Sequence, residues 1–396
     1  MRNKIATILI AFLTATTCIA DKVKYNAGCK IPEQTITIYA KDFEQNRTHS
    51  EAIEAAMEAA KKDGIFTNVV LNGHDWLIER SVLLHSDVAL IIDGCKLKMK
   101  DKTHDTLVRL ESLIIDKNNP FGRCTSAGET KNFKITGKNG GAIEGCDIPY
   151  YGKDYKGNIV PYYGDFYGWR GITILITDAT DYEISNLKIS KTKNWGISQE
   201  WCSRAYIHNL TFDVDVKNGD GINFRNGCSN SVVENIFGRT GDDTVACTAL
   251  GNKNTKKKSN PKRMYSNQSL GPRFERQWRG IKNIKIKNIF TVGKHHGVIC
   301  LATTPIVENI EIENICEPAK SNRYSVVKIY TGYGDGYKKG NLRNISVKNV
   351  VSQGADYAVE INADVEDVEL EDIYQFNPKG TLTNFKETPK GVEWEK

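Results

Sequence analysis

After its first 20 residues, the 396-residue chain has no apolar run that looks able to cross a bilayer, for which a helix needs about 20 apolar residues. It also lacks the cysteine pattern of a disulfide scaffold. Nine cysteines follow Cys18, an odd number scattered over a long chain, so several are expected to serve as small buried apolar residues. Nor does charge of one sign dominate, since 54 Lys and Arg stand against 48 Asp and Glu. A formal net charge of +6 is too mild and too dispersed to argue for a nucleic-acid partner. Nor does any helix-length segment separate the repeated phrases described below, and the Leu-x-x-Leu-x-Leu signature of a leucine-rich repeat is missing. That leaves little room for a leucine-rich solenoid.

The N-terminus is unlike the rest. MRNKIATILIAFLTATTCIA carries Arg2 and Lys4, a short apolar run, and Cys18-Ile19-Ala20 as small residues before a cleavage point. That is the pattern of an export signal over residues 1–20. A lipid anchor through Cys18 is the weaker alternative, because Thr17 is a poor match before it. The expectation is a periplasmic or secreted monomer that starts near Asp21 and forms one domain over 21–396, without a membrane span.

What the chain does have is a repeat. The phrase apolar-x-Asn-apolar recurs around Asn186, Asn209, Asn235, Asn283, Asn309 and Asn344, and a last copy substitutes Asp367. Successive steps are 23, 26, 48, 26, 35 and 23 residues. The unit is therefore 23 to 26 residues, with the 48-residue step read as about two units. Short β-rich segments with alternating apolar positions and a turn Asn fit the coils of a parallel β-helix. Stacked Asn side chains can bond along a column. Residues 67–99 also read as short strands. Before them, Thr48-x-x-Glu51 is a capping-box pattern, and Ile53, Ala56, Met57 and Ala60 share one face of a helix ending at Gly64. That helix is suited to cover the open first coil. The predicted fold is all-β: a single-stranded right-handed parallel β-helix with a short N-terminal capping helix.

Two stretches break the rhythm. Residues 147–169, rich in Tyr, Gly and Trp, read as a long loop. Residues 251–280 hold nine Lys or Arg against Glu275 alone. They read either as a solvated insertion or as a positive rim for an acidic ligand.

The repeat also gathers acids. Gly196-Ile197-Ser198, Gly221-Ile222-Asn223, Thr244-Val245-Ala246 and Gly297-Val298-Ile299 align, and the residues before them are Trp195, Asp220, Asp243 and His296. Equivalent positions on neighbouring coils stack at about 4.8 Å. Asp220 and Asp243 then become neighbours, with Asp242 beside them and His296 further along the column. Acids held together repel one another when ionised, which raises at least one pKa and suits acid–base chemistry. Inverting glycoside hydrolysis uses such a set: one carboxylic acid protonates the leaving oxygen and another carboxylate activates water.

With these motifs the sequence resembles the polygalacturonase-like enzymes of glycoside hydrolase family 28. Asn218-Gly219-Asp220 corresponds to the family's Asn-x-Asp motif, Gly241-Asp242-Asp243 to Gly-Asp-Asp, and His296-Gly297 to His-Gly. The resemblance implies inverting hydrolysis with Asp242 as general acid, Asp220 and Asp243 holding the water, and His296 supporting the acid. It implies no cofactor and no metal, and a polysaccharide or oligosaccharide partner. Two departures stand out. The family's Gly-His-Gly is His295-His296-Gly297 here, and its Arg-Ile-Lys aligns with Lys328-Ile329-Tyr330. Lys328, Tyr330, His295, Asn218 and Trp195 are the candidate substrate-binding residues, with Tyr333, Trp169 and Tyr167 as further sugar-facing aromatics. Because Lys lacks the fork of Arg, carboxylate recognition should differ. A pectin-type acidic polymer leads, with sulfated and neutral glycans as alternatives.

Cys247 and Cys300 align at an inward position, and Cys202 and Cys228 should be adjacent, either as a disulfide or as stacked thiols. Two rival readings of function accompany the hydrolase. One is a polysaccharide lyase on the same architecture, with the acids as Ca²⁺ ligands. The other is a non-catalytic glycan-binding β-helix.

Overall fold

The computed structural model describes residues 18–62, 64–116, 122–154, 156–164, 168–251, 267–319, 321, 323–333, 336–385 and 392–395. Twenty-three of the described strands join in one continuous sheet system. Its pairings are parallel throughout, from Ile36–Tyr39 against Thr67–Leu71 to Glu366–Gln375 against Val392–Glu395. The chain winds as a right-handed parallel β-helix.

Each coil is short because left-handed residues bend the strands. Asn186, Asn209, Asn235, Asn288, Asn314 and Asn349 all have φ between 54° and 57° or, for Asn209, 53°. Asn tolerates this region better than other non-glycine residues because its short polar side chain can bond locally. Here it bonds to the next coil. Asn209 Nδ2 donates to Asn186 Oδ1 at 3.0 Å, and Asn235 donates to Asn209 at 3.0 Å. Asn288 donates to Asn235 at 2.9 Å, and the chain of bonds runs on through Asn314 and Asn349.

A second column stands five residues earlier in each coil. Asn283 donates to Asn230 at 2.8 Å, Asn309 to Asn283 at 3.1 Å and Asn344 to Asn309 at 3.1 Å. The single series expected from the sequence therefore merges two columns. Asn235 belongs to one and Asn283 to the other, and the 48-residue step is not two coils. Val233 pairs directly with Ile286, and Asn235 bonds to Asn288, 53 residues on. One coil carries the whole basic insertion.

Between the bends, inward positions stack on themselves. Ile197, Ile222, Val245, Val298, Val327 and Val359 are successive register partners with no exposed surface. Burying each such side chain contributes roughly 1.5–3 kcal/mol. Cys247 and Cys300 are partners in this interior, as expected. Cys202 and Cys228 are buried and both are free thiols, so the stacked alternative holds rather than the disulfide.

The capping helix forms over His49–Lys62. Its box is closed both ways: Thr48 N–H donates to Glu51 Oε2 at 2.8 Å, and Glu51 N–H donates to Thr48 Oγ1 at 3.3 Å. Ala52, Ile53, Ala56, Met57 and Ala60 bury the shared face against the first coils. Most of the proposed export signal, residues 1–17, lies outside the described residues. A helix follows at Cys18–Tyr25, across the expected start near Asp21. It docks sideways on the coils, with Asp21 paired to buried Lys287, and with Lys24 Nζ 2.6 Å from Glu311. No described helix is long and apolar enough to cross a membrane.

The stretch read as a loop over 147–169 contains an antiparallel hairpin, Tyr151–Lys153 against Ile159–Pro161. The described half of the basic insertion, 267–280, is anchored to the coils at several points, while Pro272, Arg273 and residues 275–278 stay exposed. Arg170 N–H donates to Asn267 Oδ1 at 2.8 Å, Ser269 N–H donates to Glu200 Oε2 at 2.7 Å, and Phe274 stacks on Trp201 at 5.0 Å. Arg273 is paired with Asp178, so it is not free to act as a positive rim.

Candidate active site

Strand register builds the site. Ile197, Ile222, Val245 and Val298 are partners, so the residues two positions before them, Trp195, Asp220, Asp243 and His296, form one column at the edge of the same sheet. The backbone ties the column together. Gly196 N–H donates to Asp220 O at 2.8 Å, Gly221 N–H to Asp243 O at 2.9 Å, and Thr244 N–H to His296 O at 2.9 Å. Ser325 extends the column as the register partner of His296. Two tight turns make the column possible. A Cβ on Gly219 would come within 2.5 Å of Val216 O, and one on Gly241 within 2.0 Å of the same oxygen. Only glycine lets both turns approach that carbonyl. Asn218, at φ 53°, forms the bend before Asp220.

The three acids are gathered at this point. Asp220 is 6% exposed and Asp242 8%. Asp220 Oδ1 and Asp243 Oδ1 are buried without a hydrogen-bond partner. Burial first, then the charges of Asp242 and Asp243, push the Asp220 carboxyl well above the usual carboxylate range. Burial and the charge of Asp242 likewise push Asp243 up to about 8.

The two histidines make different contacts. His295 Nδ1 lies 2.9 Å from Asp242 Oδ1, and this bond raises the imidazole pKa above its ordinary value. His295, expected to bind substrate, is thus the partner of Asp242. His296, expected to support the acid, instead bonds through Nδ1 to Ser325 Oγ at 2.9 Å. Burial, then the charges of Lys328 and His295, drive its pKa down to about 3 and leave it neutral.

Arg323 was not legible in the sequence. It is only 2% exposed and donates from Nη2 to Thr244 Oγ1 at 3.1 Å and Thr291 Oγ1 at 2.9 Å. Burial drives its pKa down to about 10, and Asp243 and Glu317 are the acids that oppose this shift. A buried cation close enough to act on Asp243 offsets part of the repulsion among the acids.

Other predicted contacts are placed as follows. Lys328 Nζ is 3.3 Å from Glu360 Oε2 and 4.8 Å from the centre of the Tyr330 ring. Glu360 therefore already engages the one cation retained from the family's pattern. Tyr330 and Tyr333 meet edge to face at 6.4 Å. Tyr333 is 68% exposed, and its hydroxyl pKa is raised by burial of that end, by Tyr330 and by all three aspartates. Trp195 is in cation–π contact with Arg170 and Arg225, whose guanidinium carbons are 5.1 Å and 5.5 Å from its ring centre. Trp169 packs on Leu113, Cys124, Ile172 and Leu175, which makes it a packing residue. Tyr167 lies outside the described residues.

The chain is similar in fold to solved sugar-polymer enzymes. Against an exopolygalacturonase from Thermotoga maritima it is 14% identical over 95% of this chain and 94% of the other, with a TM-score of 0.56. Against a polygalacturonase from Erwinia carotovora ssp. carotovora the figures are 16%, 93%, 98% and 0.57. An iota-carrageenase complexed to iota-carrageenan fragments matches at 14% identity over 78% of this chain and 59% of its own, with a TM-score of 0.53. No protein-family model and no curated protein matches the sequence. At these identities the likeness establishes a polygalacturonase-like β-helix.

Proposed function

We propose that the chain is an inverting glycoside hydrolase that cuts a polysaccharide at the Asp220–Asp242–Asp243 cluster. The observation that carries this reading is a division of labour among the acids. Asp242 is bonded to His295, whereas Asp220 and Asp243 occupy equivalent positions on adjacent coils, each with an unpartnered oxygen. The His295–Asp242 pair holds a proton that Asp242 delivers to the glycosidic oxygen as the bond to the anomeric carbon breaks. Asp220 and Asp243 hold the water, and whichever of them is ionised takes its proton. Their raised pKa values follow from burial and mutual repulsion, since neighbouring buried carboxyls cannot all be charged.

The polymer proposed is acidic and of pectin type, a class supported by the two polygalacturonases among the similar structures. Recognition of its carboxylates falls to groups other than Lys328, which Glu360 engages. A lyase needs a free basic side chain at the acids. Arg323 is buried and Lys328 is paired, so neither suits that task. A protein exported as proposed would meet such polymers outside the cytoplasm.

The test is a screen of the purified chain against pectic, sulfated and neutral polysaccharides, with Asp242→Asn as control. Release of reducing ends from a pectic polymer, reduced at least 1000-fold in the variant with its fold intact, supports the reading. Binding without turnover on every polymer contradicts it and favours a glycan-binding protein.

A further inference from the structure

We propose that Asp243, His295 and His296 also form a binding site for a divalent transition-metal ion of the Zn²⁺ class, and that occupation of this site switches the hydrolase off. The switching half rests on the function proposed above; the binding half does not. A carboxylate oxygen of Asp243 and one ring nitrogen each of His295 and His296 lie within 4.8 Å of one another. On a tetrahedral Zn²⁺ such atoms stand about 3.3 Å apart, so closure needs a contraction of about 1.5 Å or less. His295 is half-exposed and can supply that movement by rotating.

Hydrogen-bond accounting leaves one ring nitrogen of each histidine to coordinate, that of His295 after loss of its proton. Glu360, engaged by Lys328, accepts a hydrogen bond from Ser325 Oγ at 3.2 Å. Ser325 has one proton to give, so at its 2.9 Å contact with His296 it accepts, and His296 Nδ1 carries the ring proton. His296 Nε2 is left as a bare lone pair. Likewise His295 engages Nδ1 with the Asp242 carboxylate at 2.9 Å, so Nε2 is the nitrogen outside that bond. Each imidazole is thus backed by a carboxylate, one directly and one through a serine, the outer-shell arrangement that orients metal-binding histidines. The third ligand, Asp243, has an oxygen without a partner.

The same accounting rejects the other cluster of this kind. Glu44, His49 and His74 also bring ligand atoms within 4.8 Å. There His49 Nδ1 accepts the Leu77 N–H at 2.8 Å, so its Nε2 holds the proton and cannot ligate as a neutral ring. An ion on Asp243 would take the carboxylate proposed to hold the attacking water, which is why binding and hydrolysis should exclude each other.

The experiment is a Co²⁺ titration of the full chain, after treatment with chelator, followed by visible absorbance. The expected result is one ion per chain, reversed by chelator, with affinity falling at least tenfold in both His295→Gln and Asp243→Asn and unchanged in His74→Gln. No band, or full affinity in both site variants while circular dichroism shows them folded, overturns the site. Zn²⁺ at saturating occupancy should lower turnover at least tenfold; undiminished turnover overturns the switch. If no polymer is cut, the function proposed above fails, while the Co²⁺ titration still decides the site.

Discussion

Replacing Asp243 with Asn should remove activity and yet stabilise the protein at neutral pH. Its carboxyl has a pKa of about 8 in the folded chain, against 3.8 in an unperturbed one. The folded value is raised, so between those two limits the folded protein keeps a proton that the unfolded chain releases. Stability is therefore lost as pH rises through this window and levels off above about 8. At pH 7 the mismatch amounts to ~4 kcal/mol at most. Asp220 and Asp242 share the same repulsion, and Asn still buries a polar group, so a gain of about 2 kcal/mol is expected at pH 7. At about pH 4, where the folded carboxyl is protonated and the unfolded one is only about half ionised, the gain should nearly vanish. Urea unfolding of both proteins across pH 4 to 8 measures this directly. A gain that does not change with pH, or a loss of stability at pH 7, would refute the reasoning about repulsion.

Three further outcomes follow from the same geometry. Asp242 raises the pKa of His295, so His295→Gln, which removes that titrating imidazole, should displace the alkaline limb of the pH–rate profile while the acidic limb stays in place. Asn288→Ala loses ladder bonds to Asn235 and Asn314 and puts Ala at φ 55°, which should cost about 2 kcal/mol in urea unfolding, with Asn288→Gly costing less. Because the nine cysteines after Cys18 are free thiols, a reducing agent should leave the thermal midpoint unchanged; a drop of several degrees would reveal a disulfide.

The acid column was legible because strand register converts a 23-residue spacing into adjacency, and Asp220 and Asp243 obey it. The coil count was harder to read. Two left-handed bends five residues apart both take Asn, so one phrase in the sequence reports two columns, and an insertion inside a coil looks like an extra coil. The histidines were legible as a pair, but not which of them meets Asp242, since adjacent residues on a strand face opposite sides and the turn before it decides. Arg323 left no signal. Its place beneath Thr244 and Thr291 depends on how the segment after Cys316 folds back, which no periodicity records.

Inverting hydrolysis by the aspartate cluster is tested most directly by proton NMR of the first-formed reducing end, recorded before mutarotation, on whichever polymer the chain cuts. A new anomer opposite in configuration to the cleaved bond, absent with Asp242→Asn, is the predicted result. Retention of configuration, or an unsaturated sugar at the new end, would contradict it.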